Sequence, residues 1–369
     1  MGKVVYVTER IDYSVISDSI SRELMFSVAP AYGKLSKYSK FRELWNNCRI
    51  AYDSGGFSFI TGKLKNPSPE KTITVYKALG FKKGDILIQL DLPPKPSMCM
   101  KERLKLIEKS AQFYHVMKRE LGDFVLPVVH GWSEEEIKHS LKLLENPDKL
   151  GLGSCFSRTY AHAYLQKVAL GTYSVNSTLF KVPFTEILDR LVLAMNMLRD
   201  REVFMLGAGN PNSIHLCFYL GAEICDGATW RLAAKMHAIF LPHLGRFSLG
   251  YKNVNKPLKD IKLLKMWWRE SPFTDKPFKI FLLELKRSDR SGFIARALWN
   301  AWVLKVEETI ANEYACNPEA YRKYLSKRWR NTPYWRKALQ YVTKRTKREY
   351  VQEKLTVYLK QNIQSKVAE

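Results

Sequence analysis

Residues 202–211 read EVFMLGAGNP and residues 222–229 read AEICDGAT. The first is an apolar run that stops at a glycine-rich turn; the second stops at an aspartate and a glycine. The same form recurs in RIAYDSGGF (49–57), DILIQLDLPP (85–94), DFVLPVVHGW (123–132) and KLGLGSC (149–155). Between most of these runs lie segments with helical spacing, such as MKERLKLIEKSAQFYHVMKREL (100–121) and PFTEILDRLVLAMNMLRD (183–200). Short buried strands alternating with helices predict βαβ units and a parallel sheet. Five or six such units between about residues 45 and 230 suit an α/β fold of the (β/α)8 TIM-barrel type better than an open sheet. In a barrel, the residues at which the strands stop form one face, the mouth. Asp53, Asp91, His130, Gly153, Gly207 and Asp226 are therefore expected to converge.

Working outward, the chain has 369 residues, 46% of them hydrophobic, enough for a large core. No stretch reaches 18 apolar residues free of charge, so no membrane span is expected. The opening MGKVVYVTERIDYS lacks the apolar run of a signal peptide. The six cysteines are scattered with no CxxC pair, which reads as reduced thiols in a cytoplasmic protein rather than a metal site. The formal net charge is +24. A surplus of one sign on this scale predicts a polyanionic partner, nucleic acid first, and exceeds what solubility requires.

After about residue 255 the character changes. Six of the nine tryptophans fall there, and residues 321–369 hold 14 Lys or Arg against three Glu. Helices are expected on either side of a break at Asn331-Thr332-Pro333, since proline suits a first helical turn. The expected organisation is a barrel over 1–255 and a basic, Trp-rich helical extension over 256–369. Its tryptophans are expected to form a local core while its basic face tracks a phosphate backbone.

Three carboxylates at strand ends carry the chemical expectation. An aspartate can attack a sugar C1′ and form a covalent glycosyl intermediate. A second moves protons to and from the departing group, and a third accepts hydrogen bonds from the N–H edge of a purine. Singly, each aspartate is as well explained as a turn residue or helix cap; together at one mouth they point to a site. Gly207-Ala208-Gly209 does not make a dinucleotide loop, because position 212 is Asn where a third glycine is required. His130 reads as a catalytic base, a donor to a ligand carbonyl or a core histidine, and Phe57 as a base-stacking ring or a core aromatic.

These motifs resemble those of the tRNA-guanine transglycosylase superfamily. Asp53-Ser54-Gly55-Gly56-Phe57 looks like its DSGGF/Y signature, and FMLGAGNP (204–211) with GAEICDG (221–227) looks like its glycine turn and nucleophile strand. VVHG (128–131) stands where the family has a VQGG-like turn, and LGLG (150–153) resembles its base-contacting strand end. The resemblance covers roughly residues 45–245. It implies Asp226 as nucleophile and Asp53 as general acid/base. It also implies a base site of Asp91, His130, Ser54, the Gly151–Gly153 backbone (Gly151 and Gly153) and a stacking Phe57, with no cofactor.

Two departures separate the chain from the tRNA enzymes. Their CxCxxC zinc site cannot be built, because only Cys316 follows Cys225, so no metal is expected. Their Pro-Thr-Arg-type segment is replaced by GATWRLAAKMHA (227–238), which keeps Arg231 and Lys235. Both departures resemble the DNA-modifying branch, DpdA-type DNA-guanine transglycosylases. That likeness implies replacement of guanine in DNA by 7-cyano-7-deazaguanine, in the cytoplasm, a host's if the chain is phage-encoded. Arg231, Lys235, Arg328, Arg330 and Arg336 are the expected nucleic-acid contacts. A zinc-free tRNA-guanine transglycosylase is the main alternative. A non-catalytic nucleic-acid-binding barrel and an unrelated glycosidase follow, the last leaving the charge unexplained.

Overall fold

The structure is a computed structural model that describes residues 2–8, 20–38, 40–56, 58, 64–94, 98–153, 184–249 and 261–345. Its strands are β1 (Lys3–Thr8), β2 (Glu23–Ser27), β3 (Arg49–Asp53), β4 (Ile86–Ile88), β5 (Val125–Leu126), β6 (Val128–Val129), β7 (Lys149–Leu152), β8 (Glu202–Met205) and β9 (Ile224–Gly227). All nine lie in one sheet, parallel, in the order β5-β4-β3-β2-β1-β9-β8-β7-β6. The helices between them are α1 (Pro69–Leu79), α2 (Met100–Leu121), α3 (Glu134–Leu143), α4 (Phe184–Met197) and α5 (Pro211–Tyr219), with α6 (Thr229–Lys235) after β9. A hairpin, β10 (Ala238–Leu241) and β11 (Gly245–Ser248), leads to α7 (Ile261–Arg269), α8 (Phe278–Lys286), α9 (Arg290–Glu313), α10 (Pro318–Arg328) and α11 (Pro333–Arg345).

The two ends of the sheet are neighbours in sequence, separated by Pro127 alone. Proline has no N–H to give a ladder, so the segment splits its pairing. Val125 and Leu126 pair with Leu87 and Ile88 on β4, while Val128 and Val129 pair with Gly151 and Leu152 on β7. The Pro127 carbonyl still accepts from Gly151 N at 2.8 Å. At the break the buried Gln89 side chain substitutes for a strand: its Oε1 accepts from Val128 N at 2.8 Å, and its Nε2 donates to the Ser110 carbonyl at 3.2 Å. The sheet therefore bends round into an α/β barrel. Counting residues 125–129 as one interrupted strand, its wall has eight. Two of them, β1 and β2, precede the region in which the sequence pattern was legible.

Inside and outside follow from the two-residue period of a strand. Val5, Met25, Ala51, Ile86, Ile88, Leu126, Val128, Phe204 and Ile224 form a core of their own within the cylinder. Alternate residues such as Val4, Tyr6, Leu24, Tyr52 and Val203 join the larger core between wall and helices. Carried two residues onward, the inward set reaches Ser27, Asp53, His130, Gly153, Leu206 and Asp226. Strand β4 departs from this parity: Leu90 turns to the outer core, its N–H directed at Met117 Sδ, and Asp91 turns to the mouth.

The helices beyond residue 260 are part of the wall's covering. Helix α9 lies over β1, where Glu308 accepts from Val4 N at 2.8 Å and the Ala301 carbonyl accepts from the Tyr6 hydroxyl at 3.2 Å. It also docks on α6 and the hairpin through buried polar groups. Asn300 bonds Phe240 N, Trp230 O and Ala238 O, and Trp299 Nε1 donates to Phe240 O at 2.7 Å. Trp299, Trp302 and Trp329 are core residues. Thus 256–369, read from sequence as an appendage, supplies the helix that covers the first strand. Among the described residues no helix is long and apolar enough to cross a membrane.

Because Gln89 gives the Val128 N–H beside Pro127 a buried acceptor, Gln89→Met should destabilise the fold by about 1–3 kcal/mol. Urea denaturation is the check. An unchanged midpoint would mean that Val128 N–H has found another acceptor.

Candidate active site

The mouth gathers Asp53, Asp91, His130 and Asp226 from four strand ends. Asp226 and Asp91 are each 8% exposed and His130 is 1% exposed. Glycines make this packing possible. A Cβ on Gly56 would stand 2.2 Å from Asp91 Oδ1, and one on Gly209 would stand 1.7 Å from the Cα of Gly227. No side chain fits at either position. Gly207 adopts φ 82°, and its N–H donates to Asp226 Oδ1. Thr229 Oγ1 donates back to the Gly209 carbonyl. The Gly207-Ala208-Gly209 turn therefore gives the Asp226 carboxylate one main-chain donor, from Gly207, and lays Gly209 against the Asp226-Gly227 main chain, which accounts for glycines there without any dinucleotide.

Asp53 is held by the Ser27 hydroxyl and by Gly55 N, the latter at 3.4 Å. Its carboxyl is pushed up to about 6, mainly by burial and further by the charge of Asp91, against the hydrogen bonds from Ser27 and Gly55. Asp226 is pushed up to about 7, again mainly by burial and further by Asp53, against the bond from Gly207. Asp226 is buried and Asp53 half-buried, and the charge of Asp53 adds to the cost of ionising Asp226, which favours a state in which one carries a proton and the other a charge. One can then act as an acid while the other is a nucleophile.

Asp91 Oδ2 lies 2.8 Å from His130 Nε2, and His130 Nδ1, buried, has no hydrogen-bond partner among the described residues. A Cβ on Gly153 would meet the His130 ring at 2.5 Å, so the ring lies against bare backbone. Gly151 lies lower in the barrel, where a Cβ would touch Leu206, Val128 and Leu126; it is a packing position within the wall rather than part of the rim. Ser54 is fully buried, its hydroxyl has no hydrogen-bond partner among the described residues, and its carbonyl accepts from the Tyr32 hydroxyl at 3.3 Å. Phe57 lies outside the described residues.

The expected nucleic-acid contacts divide. Lys235, Arg330 and Arg336 are exposed and Arg231 is half-buried. Arg328 is a correction: its side chain is 1% exposed and pairs in two-pronged fashion with Glu307, at 2.7 and 2.9 Å. Glu307 also accepts from His215 Nε2 at 2.9 Å and His243 N at 2.9 Å, and Arg328 Nε reaches Asn212 Oδ1 at 3.3 Å. A guanidinium so engaged has no fork left for phosphate. It pins the junction of α10 and α11, with Arg330 and Arg336, to the mouth-side start of α5, and Trp329 Nε1 adds a 2.9 Å bond to the same Asn212 oxygen.

Sequence reading passed over Ser27, although ELMFS (23–27) is itself an apolar run ending in a polar residue. It also passed over Arg190, whose signal is a charge on the apolar face of α4, among Ile187, Leu191 and Ala194. Among the described residues no three His, Cys, Asp or Glu side chains gather as a metal site. Comparison with protein-family models and with curated proteins gives no match for this chain.

Two outcomes are expected. Arg328→Met should destabilise the protein by roughly 3–5 kcal/mol by stranding Glu307, whereas Arg330→Met should stay within about 0.5 kcal/mol; equal losses in denaturant titrations would contradict the assignment. The raised Asp226 carboxyl keeps its proton in the fold up to about 7, while the unfolded chain loses it near 3.8. Its stability contribution is intact below the unfolded value and is lost as pH rises through the folded one. Asp226→Asn should therefore raise the unfolding free energy at pH 8 by an amount on the order of a few kcal/mol, measured by denaturant titration, and the gain should vanish toward pH 4. A gain independent of pH would show that ionisation of Asp226 is not the cause.

Proposed function

We propose that the chain is a base-exchanging transglycosylase that replaces guanine in DNA by a 7-deazaguanine. The observation that carries this reading is the convergence of Asp53, Asp91 and Asp226 at one barrel mouth, with the Asp226 carboxylate bonded by the Gly207 N–H and two of the carboxyls raised by burial. The motif resemblance and the +24 charge point the same way.

In this mechanism Asp226 attacks C1′ of the target nucleotide. A bond forms from its carboxylate oxygen to C1′, the bond from C1′ to guanine N9 breaks, and the electron pair leaves with the base. In the free protein the proton shared by the pair prefers Asp226, whose carboxyl is the higher; the step requires the arrangement with that proton on Asp53, from which it passes to the departing guanine. The incoming 7-deazaguanine gives its N9 proton to Asp53, its N9 attacks C1′, and Asp226 is released as a carboxylate. Asp91, oriented by His130, accepts hydrogen bonds from the N–H edge of the base, and the Gly153 backbone lies beside it. A duplex target must first be flipped out of the stack. Arg330 and Arg336, which the Arg328 and Trp329 bonds to Asn212 hold on the α5 side of the mouth, together with Arg231 and Lys235 on α6, serve the phosphate backbone.

The test is exchange of labelled guanine into matched DNA and tRNA. Label is expected in DNA, with binding that weakens steeply as salt rises. Asp226→Ala should lower incorporation by roughly a thousandfold or more and abolish the covalent protein–DNA adduct. Label entering tRNA alone would replace the DNA assignment by a tRNA one. Undiminished exchange in the alanine variant would remove Asp226 as nucleophile.

A further inference from the structure

Helix α4 places one charged side chain where its apolar stripe belongs. Arg190 is buried between Ile187, Leu191 and the barrel wall, and its length carries the guanidinium back toward the start of the helix, the mouth end. There it bonds main-chain carbonyls rather than a carboxylate. Nε donates to Gly131 O at 2.7 Å and one terminal nitrogen donates to Gly153 O at 2.9 Å. These carbonyls end two adjacent strands, and they flank the His130 ring. Gly131 directly follows His130, and the ring lies so close to Gly153 that a Cβ there would meet it at 2.5 Å.

The guanidinium is itself held flat. Its carbon lies 4.5 Å from the centre of the Trp132 ring. Trp132 is tied in turn to the loop after β4, with Nε1 donating to Pro94 O at 3.2 Å, and to Glu136, which accepts from Trp132 N at 2.6 Å. Glu136 is anchored by Arg103 at 2.7 Å. One planar cation thus joins the strand ends that carry Gly153 and His130, and through Trp132 the loop that follows Asp91. A fixed fork with a flat face can do this; a lysine ammonium, a single point donor, cannot bond both carbonyls and stack at once.

We propose that Arg190 is a positioning residue of the base site: by fixing the Gly131 and Gly153 carbonyls it sets the His130 ring, and with it Asp91, at one edge for a planar guanine-type base. The inference rests on the reading of the mouth as a base site. Arg190 touches neither base nor sugar in this scheme, so its removal loosens capture of the free base and leaves the Asp226 and Asp53 chemistry in place once the base is bound.

Steady-state exchange of labelled guanine into DNA by the full chain separates the possibilities. Arg190→Ala is expected to raise KM for the free base about tenfold or more, with kcat at saturating base changed by less than about threefold. Millimolar guanidinium should lower the KM of this variant and leave the wild type unchanged. Arg190→Lys should fall between the two and serves as the measured variant if the alanine form does not fold. Unchanged KM in a folded variant would overturn the inference. So would a fall in kcat at constant KM that guanidinium does not repair, since that is the signature of a smaller folded fraction. A wild-type chain that places no label in DNA or tRNA would overturn the base-site reading itself, and the role of Arg190 with it.

Discussion

Residues 125–129 hold the cylinder shut, and the mouth exists only because they do. A continuous strand could not serve here, since Pro127 has no N–H and the segment must hand its pairing from β4 on one side to β7 on the other. Gln89 makes the hand-over tolerable by giving Val128 N–H a buried acceptor. Once the ring is closed, strand periodicity does the rest. On every strand but β4, the position two residues above the apolar interior points toward the same mouth, whatever its place in sequence. Asp53 and Asp226, 173 positions apart by their numbering, meet for this reason.

That rule also explains what could be read from the sequence. Asp53, His130, Gly153 and Asp226 each end an apolar run, so their convergence follows from one-dimensional pattern plus closure. Asp91 follows its own run too, but for a different reason: β4 is short, and Leu90 leaves the inward parity to join the outer core. The glycines of 207–209 were legible as a turn but not as a close packing contact, because the near-contact of Gly209 with Gly227 is a tertiary approach between a loop and the end of β9. Arg328 was misread for a related reason. Its basic neighbourhood in sequence speaks for an exposed face, yet its partner, Glu307, lies on another helix, and nothing local to either residue announces the pair.

The acidic environments at Glu307 and at the mouth differ in kind. At Glu307, burial alone would raise the carboxyl, but Arg328 and His215 hold it at about 2. His215, buried beside the Arg328 charge, is held down at about 4. This is a compensated cluster, and it ties α9 and α10 to α5. At the mouth the donors to Asp53 and Asp226 are a hydroxyl and main-chain N–H groups, all neutral, and both carboxyls stay high. The fold thus spends its cationic partners on scaffolding and leaves the mouth carboxyls electrostatically unrelieved, a pattern expected where local stability yields to chemistry.

The seat of β1 has a consequence for how the molecule is made. The strand pairs with β9, which carries Asp226, and its Val4 N–H is satisfied by Glu308 across a separation of 304 residues. At translation rates of 5–20 residues per second, that interval corresponds to about 15–60 s between the emergence of the strand and that of the helix that covers it. For that time the outer face of β1 stays open, its second edge stays open until β9 emerges, and no partly synthesised chain that lacks α9 can hold the nucleophile's strand in its final setting. The barrel is thus a late, non-local product of synthesis, slow by the measure of sequence separation, and its early strands need shelter from other nascent chains until α9 arrives.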